Sequence, residues 1–164
     1  MYGAEAWLGL NYNYAGFDIG VRFDLYNNSN LIDPQDTFTG QGFGRWYIKK
    51  KVKKFSFAAG YLYDQIGSGI IYRAYEERPL ANDNALYGIR GAYDIAPNWE
   101  IKGFTGKQKF RFGTFDTILK GLSVEGFVAS EGSKWSIAPG AGIVNKTIFS
   151  DRCIDRNGNC RLPT

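Results

Sequence analysis

The stretch Phe17-Asp18-Ile19-Gly20-Val21-Arg22-Phe23-Asp24-Leu25-Tyr26 decides the fold. Every second residue from Phe17 to Leu25 is apolar, and Asp18, Gly20, Arg22 and Asp24 stand between them. Side chains of a β-strand point alternately to opposite faces, so this strand has one oily face and one charged face. The segment before it alternates in the same way, with Ala4, Ala6, Leu8, Leu10 and Tyr12 set against Glu5, Trp7, Gly9, Asn11 and Asn13. Tyr14-Ala15-Gly16 joins the two as a tight turn, and the pair reads as a hairpin. Nowhere do apolar residues recur at i, i+3, i+4 and i+7 over the length of a helix.

Carried along the chain, the same period places further strands near 42–49, 55–64, 85–93, 99–108, 121–129 and 135–144, eight with the first two. Short connections fall at 14–16, 50–54, 94–98 and 130–134. Long ones fall at 27–41, 65–84 and 109–120, with a loop-like tail over 145–164. In an up-and-down sheet alternate connections share an end, so short turns would gather at one end and long loops at the other. Strands of this length match the ~9–11 residues that a tilted strand needs to cross a bilayer. The expectation is an all-β fold, an antiparallel up-and-down transmembrane β-barrel or an eight-stranded piece of one, filling residues 1–164 as a single domain. Strand 1 would start, and strand 8 end, at the long-loop end. Open edges in lipid leave backbone groups unpaired at several kcal/mol each. The domain is therefore expected to be incomplete, within a parent barrel of roughly ten or more strands. The alternative is direct pairing of strands 1 and 8.

Alternation alone does not say which face is outside. A soluble lipocalin-like barrel would turn its apolar face inward around an apolar small molecule. Two features favour the membrane. Aromatics, of which the chain has 12 Phe, 11 Tyr and 4 Trp, flank each short turn: Tyr14 and Phe17, Trp46 and Phe55, Tyr93 and Trp99, Phe127 and Trp135. Rings gathered at one level suit a membrane interface. The wet face also carries Gly9, Gly20, Gly60, Gly88 and Gly106 among charges, as a crowded lumen requires. Asp18, Arg22, Asp24, Arg90, Glu100 and Lys102 are the expected lumen charges. No helical span competes, because the richest apolar run, Ile137 to Val144, is broken by Pro139 and glycines.

Composition removes most chemistry. Histidine is absent, which excludes Ser-His-Asp, Cys-His and imidazole–metal sites. The wet-face carboxylates alternate with Arg22, Arg90 and Lys102 and read as an ion-pair lattice, so no enzyme and no cofactor is expected. Gly40-Gln41-Gly42-Phe43-Gly44 lacks the lysine and the following helix of a phosphate-binding loop. The balance of 20 Lys+Arg against 16 Asp+Glu is mildly basic. Its densest run, Lys49 to Lys54, reads as a solvated turn with no base-stacking module, and nucleic acid is not an expected partner.

The segment Asp64 to Asn84 is the most distinctive. It is too long for a plain turn and combines β-branched residues with Tyr, Arg and Glu. Loops of this length are often functional. One reading folds it inward to narrow the lumen or meet a partner, with Arg73, Tyr75, Glu76 and Arg78 as binding residues; the other extends the strands above the membrane.

The run Gly67-Ser68-Gly69-Ile70-Ile71-Tyr72-Arg73-Ala74-Tyr75-Glu76-Glu77-Arg78, followed by Asp83-Asn84-Ala85-Leu86-Tyr87-Gly88, resembles a segment of an uncharacterised family of outer-membrane β-barrel proteins of Bacteroidota-type bacteria. The distinctive match covers about a fifth of the chain; the family's members are larger. The resemblance implies a bacterial outer-membrane location and assigns no activity or site residue. The expected role is structural, pore-forming or scaffolding, with outer-membrane lipid and surface or periplasmic proteins as partners. In an oxidising compartment Cys153 and Cys160 should form a disulfide, helped by a turn at Asn157-Gly158. Asp151, Asp155, Asn157 and Asn159 offer oxygen ligands but miss the EF-hand spacing, and no metal is expected.

Overall fold

The computed structural model describes residues 2–29, 38–80, 82–129 and 135–148. Eight long strands form one antiparallel sheet: β1 (Ala4–Tyr14), β2 (Phe17–Ser29), β3 (Phe38–Val52), β4 (Phe55–Leu62), β5 (Leu86–Ala96), β6 (Trp99–Phe110), β7 (Gly113–Gly126) and β8 (Gly140–Ile148). Each pairs with its neighbours in chain order, an uninterrupted meander. The first hairpin has the register its alternation demands, with Leu8 opposite Phe23, Leu10 opposite Val21 and Trp7 opposite Asp24. Ala15 and Gly16 both have positive φ, 49° and 78°, as a two-residue turn between right-twisted strands requires. Among the described residues β1 and β8 pair only on their inner sides, and no ladder joins them.

The sheet curls, and glycine permits it. Gly60, Gly88 and Gly106 stand side by side on β4, β5 and β6. A Cβ on Gly88 would lie 2.6 Å from the Gly106 Cα, and one on Gly60 would lie 2.9 Å from the Tyr47 Cα. No side chain fits between these backbones, so the row forms a corner in the sheet. The curl brings distant strands together. Phe112, in the β6–β7 turn, packs against Tyr26 of β2 and Phe38 of β3, with ring centroids 5.9 and 6.4 Å away. Lys109 of β6 reaches the Gly44 carbonyl of β3.

The two faces have opposite character, and the convex apolar one is exposed. Leu8, Leu10, Val21, Phe23, Leu25, Phe57 and Ile89 are open on it, while Ile19 and Ile101 are half-buried. Arg22 is only 8% exposed, Asp24 2% and Lys102 7%, although they are charged. A water-soluble sheet normally buries its oily face and wets its polar one. Here the arrangement is reversed.

Four expectations need correction. The connection read as long over 109–120 is a tight turn at 111–112, with Arg111 at φ 54°, and β7 begins at Gly113. The connection after β7 is in turn longer than the short turn at 130–134, holding a small ribbon of Val128–Ala129 and Ser136–Ile137. β8 runs to Ile148, four residues into the stretch read as tail. Trp46 does not flank a turn: it lies opposite Val21 and meets Tyr87 edge-on at 5.8 Å, in mid-sheet. Tyr14, Phe55, Tyr93, Phe127 and Trp135 are exposed beside the connections where they were expected.

Candidate functional site

The segment between β4 and β5 folds inward and covers the concave face. Two short ribbons stiffen it, Gln65–Ile66 with Tyr72–Arg73, and Glu76–Glu77 with Asn82–Asp83; a single helical turn at Arg78–Leu80 lies between the two strands of the second. The backbone ties the base of this plug through Ala74 N–H to the Asp64 carbonyl at 2.7 Å and Asn84 N–H to the Tyr75 carbonyl at 3.2 Å. Ile66 is buried in the core with Leu62, Leu86 and Phe104, and a side chain on Gly142 of β8 would collide with it. At the other extreme the Arg78 guanidinium lies 5.5 Å over the Trp7 ring of β1. The plug thus touches both outermost strands.

Carboxylates on the plug meet cations on the wall. Glu76 takes the Arg22 guanidinium as a fork, at 2.7 and 2.9 Å, while Arg22 Nε lies 3.1 Å from Asp24 Oδ2. Asp64 lies 2.9 Å from Arg90 Nε and 3.2 Å from Lys102 Nζ. Lys102 also donates to the Gln65 carbonyl at 2.7 Å and stands 3.5 Å from Glu125. Lys109 donates to Asp83. Gly67 N–H donates to Glu125 at 3.1 Å. Charges so far from water are tolerated only when paired and hydrogen-bonded.

Local sequence explains the placement. β3 carries an extra residue where its register with β2 shifts, so that Arg45 lies opposite Arg22 but Phe43 opposite Phe23. Gly44 is that residue. A side chain there would overlap the Asp24 carboxylate, and its carbonyl is turned out of the ladder toward Lys109. A second irregularity, between Lys107 and Lys109 in the β6–β7 register, accompanies the burial of Lys109.

Electrostatics on the plug follow the contacts. Burial works against the Glu76 carboxylate, but the Arg22 bonds and charge, with Arg45 and Arg78 beyond, hold its pKa below its ordinary value. Burial, then Asp83 and Glu76, pushes the Tyr63 hydroxyl far up, so it stays a donor, to Asp83 at 3.0 Å and Glu76 at 3.4 Å. The Tyr72 hydroxyl is pushed up to about 12 by burial and by Asp64. Its oxygen is buried without a partner, and its ring packs on Phe104 at 4.8 Å.

The expected site residues divide. Arg22 and Asp24 meet on the concave face, and Arg90 and Lys102 share Asp64 there. Asp18 sits apart, 3.4 Å from the Tyr47 hydroxyl. Glu100 lies opposite Asp94 and Glu125, near the short turns rather than the plug. Of the four loop residues, Glu76 and Arg78 are spent on the wall, the latter 3.7 Å from Asp24. Arg73 is exposed and stacks over Tyr75 at 5.1 Å. Asp64, Asp83, Lys109 and Glu125 were missed as site residues. Asp64 has the wet-face parity of its strand, but Lys109 has not, because the irregularity reverses it. Cys153 and Cys160 lie outside the described residues. Among the described residues no group of three or more His, Cys, Asp and Glu is arranged to hold a metal ion.

Fold and site together define an all-β protein with a single curled antiparallel sheet, an exposed apolar face, and a charged concave face covered by its own loop. The chain belongs to a family of unknown function, DUF6029, whose sequence model matches residues 1–157. No curated protein and no solved structure matches it.

Proposed function

We propose that this sheet is part of the wall of a transmembrane β-barrel in a bacterial outer membrane, with a structural, pore or partner-scaffold role and no catalysis. The observation that carries the reading is the inverted sheet: aliphatic and aromatic side chains open on the convex face, ionised ones buried on the concave face. Lipid would cover the first and a lumen would hold the second. Seven of the eight long strands have 9 to 15 residues, the length a tilted strand needs to cross the hydrocarbon layer, and β4 has 8. The resemblance of the Gly67–Arg78 run to Bacteroidota-type outer-membrane barrels supports the same location.

The plug bears on the barrel's size. About eight strands enclose a space that side chains alone fill. Here that space holds a twenty-residue segment, so the reading requires a wider barrel of roughly ten strands or more, with further strands pairing β1 and β8. A lipocalin-like carrier would need an apolar interior, and Arg22, Lys102 and Glu76 do not provide one. Arg73, exposed on the plug, and the half-buried Tyr75 beneath it are the groups left for a surface or periplasmic partner.

Cell fractionation followed by detergent extraction, with planar-bilayer conductance on the reconstituted protein, tests the reading. Recovery in outer membranes, with a folded form that migrates differently from the boiled one, is expected. A monomer soluble without detergent would refute it.

A further inference from the structure

Beneath the plug, on the concave face, lies a cavity of about 160 Å³ walled by Arg45, Lys49, Arg90, Tyr47, Tyr63 and Asp64. Three cations face one carboxylate there, and that carboxylate is already shared by Arg90 and Lys102. Arg45 differs from the wall's other inner cations. Arg22, Arg90, Lys102 and Lys109 each have a carboxylate within 4.0 Å, whereas among the described residues Arg45 and Lys49 have none.

Arg45 is nonetheless held in place. Its guanidinium lies 5.5 Å over the Tyr47 ring and 5.7 Å over the Tyr63 ring. Stacking on ring faces satisfies the flat sides of a guanidinium and leaves its in-plane N–H fork unspent. Lys49 Nζ lies 4.5 Å from the Tyr47 ring as a second cation without a close ion pair, its cross-strand neighbour Asp18 being spent on the Tyr47 hydroxyl at 3.4 Å. Across the ladder Arg45 lies opposite Arg22, a like-charge pair in which Glu76 and Asp24 bond Arg22 directly while Glu76 acts on Arg45 only from beyond 4.0 Å. Two larger hollows, one along Arg73 and Tyr75 and one along Trp7 and Arg78, also border Arg45, so the position is reachable from more than one side.

We propose that this cavity binds a small oxyanion, a carboxylate or a phosphate, with Arg45 as its bidentate donor and Lys49 and Arg90 as flanking charges. A planar guanidinium without a close carboxylate, in the wall of a cavity lined by three cations and one carboxylate, suits the recognition of such groups. The inference rests on the concave face being the lumen proposed above, where the site would sit on any path past the plug.

The test is titration of the full chain in detergent micelles with inorganic phosphate, and separately with acetate, by calorimetry at low and high chloride. Binding of either anion, weakened by added chloride, is expected; phosphate without acetate, or the reverse, tells the two sources apart. Arg45→Gln should weaken binding about tenfold or more, as loss of a charge-assisted pair does. Arg45→Lys should fall between, because it keeps the charge and loses the fork. Lys49→Gln, an exposed position on the same wall, serves as a second variant should Arg45→Gln not fold, and should weaken binding measurably. Absence of binding by both anions at low salt, or unchanged affinity in a folded Arg45→Gln or Lys49→Gln protein, overturns the proposal. Insertion into lipid vesicles is scored separately on the same preparations. Binding without insertion sinks the membrane reading alone, and insertion without binding sinks the anion site alone.

Discussion

Replacing Asp64 by Asn should release the plug without unfolding the wall. The Asp64 carboxylate holds Arg90 at 2.9 Å and Lys102 at 3.2 Å, and it is itself 13% exposed. Removing one partner of a buried ion pair typically costs about 3–5 kcal/mol, because the other charge is stranded. Here the stranding is partial. Lys102 keeps the Gln65 carbonyl at 2.7 Å and Glu125 at 3.5 Å, and Arg90 is 30% exposed and can recover water. A cost of about 2 kcal/mol is therefore reasonable, which raises the open population of the plug roughly thirty-fold. Amide hydrogen exchange measures it directly. Ala74 and Asn84 N–H, whose bonds close the base of the plug, should exchange about thirty times faster, while amides of the β2–β3 ladder keep their protection. Unchanged exchange at Ala74 and Asn84 would refute the idea that ion pairs latch the segment. An equal rise in wall and plug would refute their independence.

The same latch has a pH dependence of known sign. Because Glu76 titrates below its ordinary value in the folded protein, its contribution is complete above the usual carboxylate pKa of about 4.3 and is lost as pH falls through its own lower value. Exchange in the plug should rise there, before the sheet unfolds. Asp94→Asn, which breaks the exposed Lys51–Asp94 pair at 3.2 Å, should cost less than about 1 kcal/mol in chemical denaturation. Gly88→Val should prevent formation of the folded, heat-modifiable species, since no Cβ fits against Gly106. Gly91→Ala, where the nearest atoms beyond its own neighbours are 3.7 Å away on the Phe55 ring, should fold normally. Ile89→Lys, at a position 57% exposed, should cost about 2–4 kcal/mol if lipid covers it; a change within about 0.5 kcal/mol, as at an ordinary wet surface, would count against the membrane reading.

The wall was legible because its signal is local. Alternation from Phe17 to Leu25 specifies both faces at once, and a slip of one residue would put Arg22 among the aliphatics. Legibility failed where an irregularity or a distant partner intervened. Lys109 turns inward at the irregularity between Lys107 and Lys109, against the parity of its strand, and Trp46 lies well inside β3 because that strand runs on through the lysines to Val52. The turn at 111–112 has no glycine at its centre, and Phe112 is placed by rings on Tyr26 and Phe38, more than seventy residues away. A run such as Gln108-Lys109-Phe110-Arg111-Phe112 reads as loop until that pocket of rings is known to exist.

The plug shows why its own direction was not readable. Nothing periodic in residues 64–84 distinguishes a loop folded outward from one folded inward, and both readings were open. What decides is charge supplied from elsewhere: Glu76 finds Arg22 across 54 residues, Asp64 finds Lys102 across 38, and Lys109 finds Asp83 across 26. Arg22 and Lys102 stand on wet faces that were legible, Lys109 is turned inward by the irregularity beside it, and each carboxylate belongs to a loop that was not legible. A wall with inward cations in excess of inward carboxylates would be self-repelling in a low dielectric. The loop supplies the missing negative charge, and that complementarity is the physical reason it turns inward. The balance stops short at Arg45 and Lys49, to which the loop brings no carboxylate within 4.0 Å among the described residues.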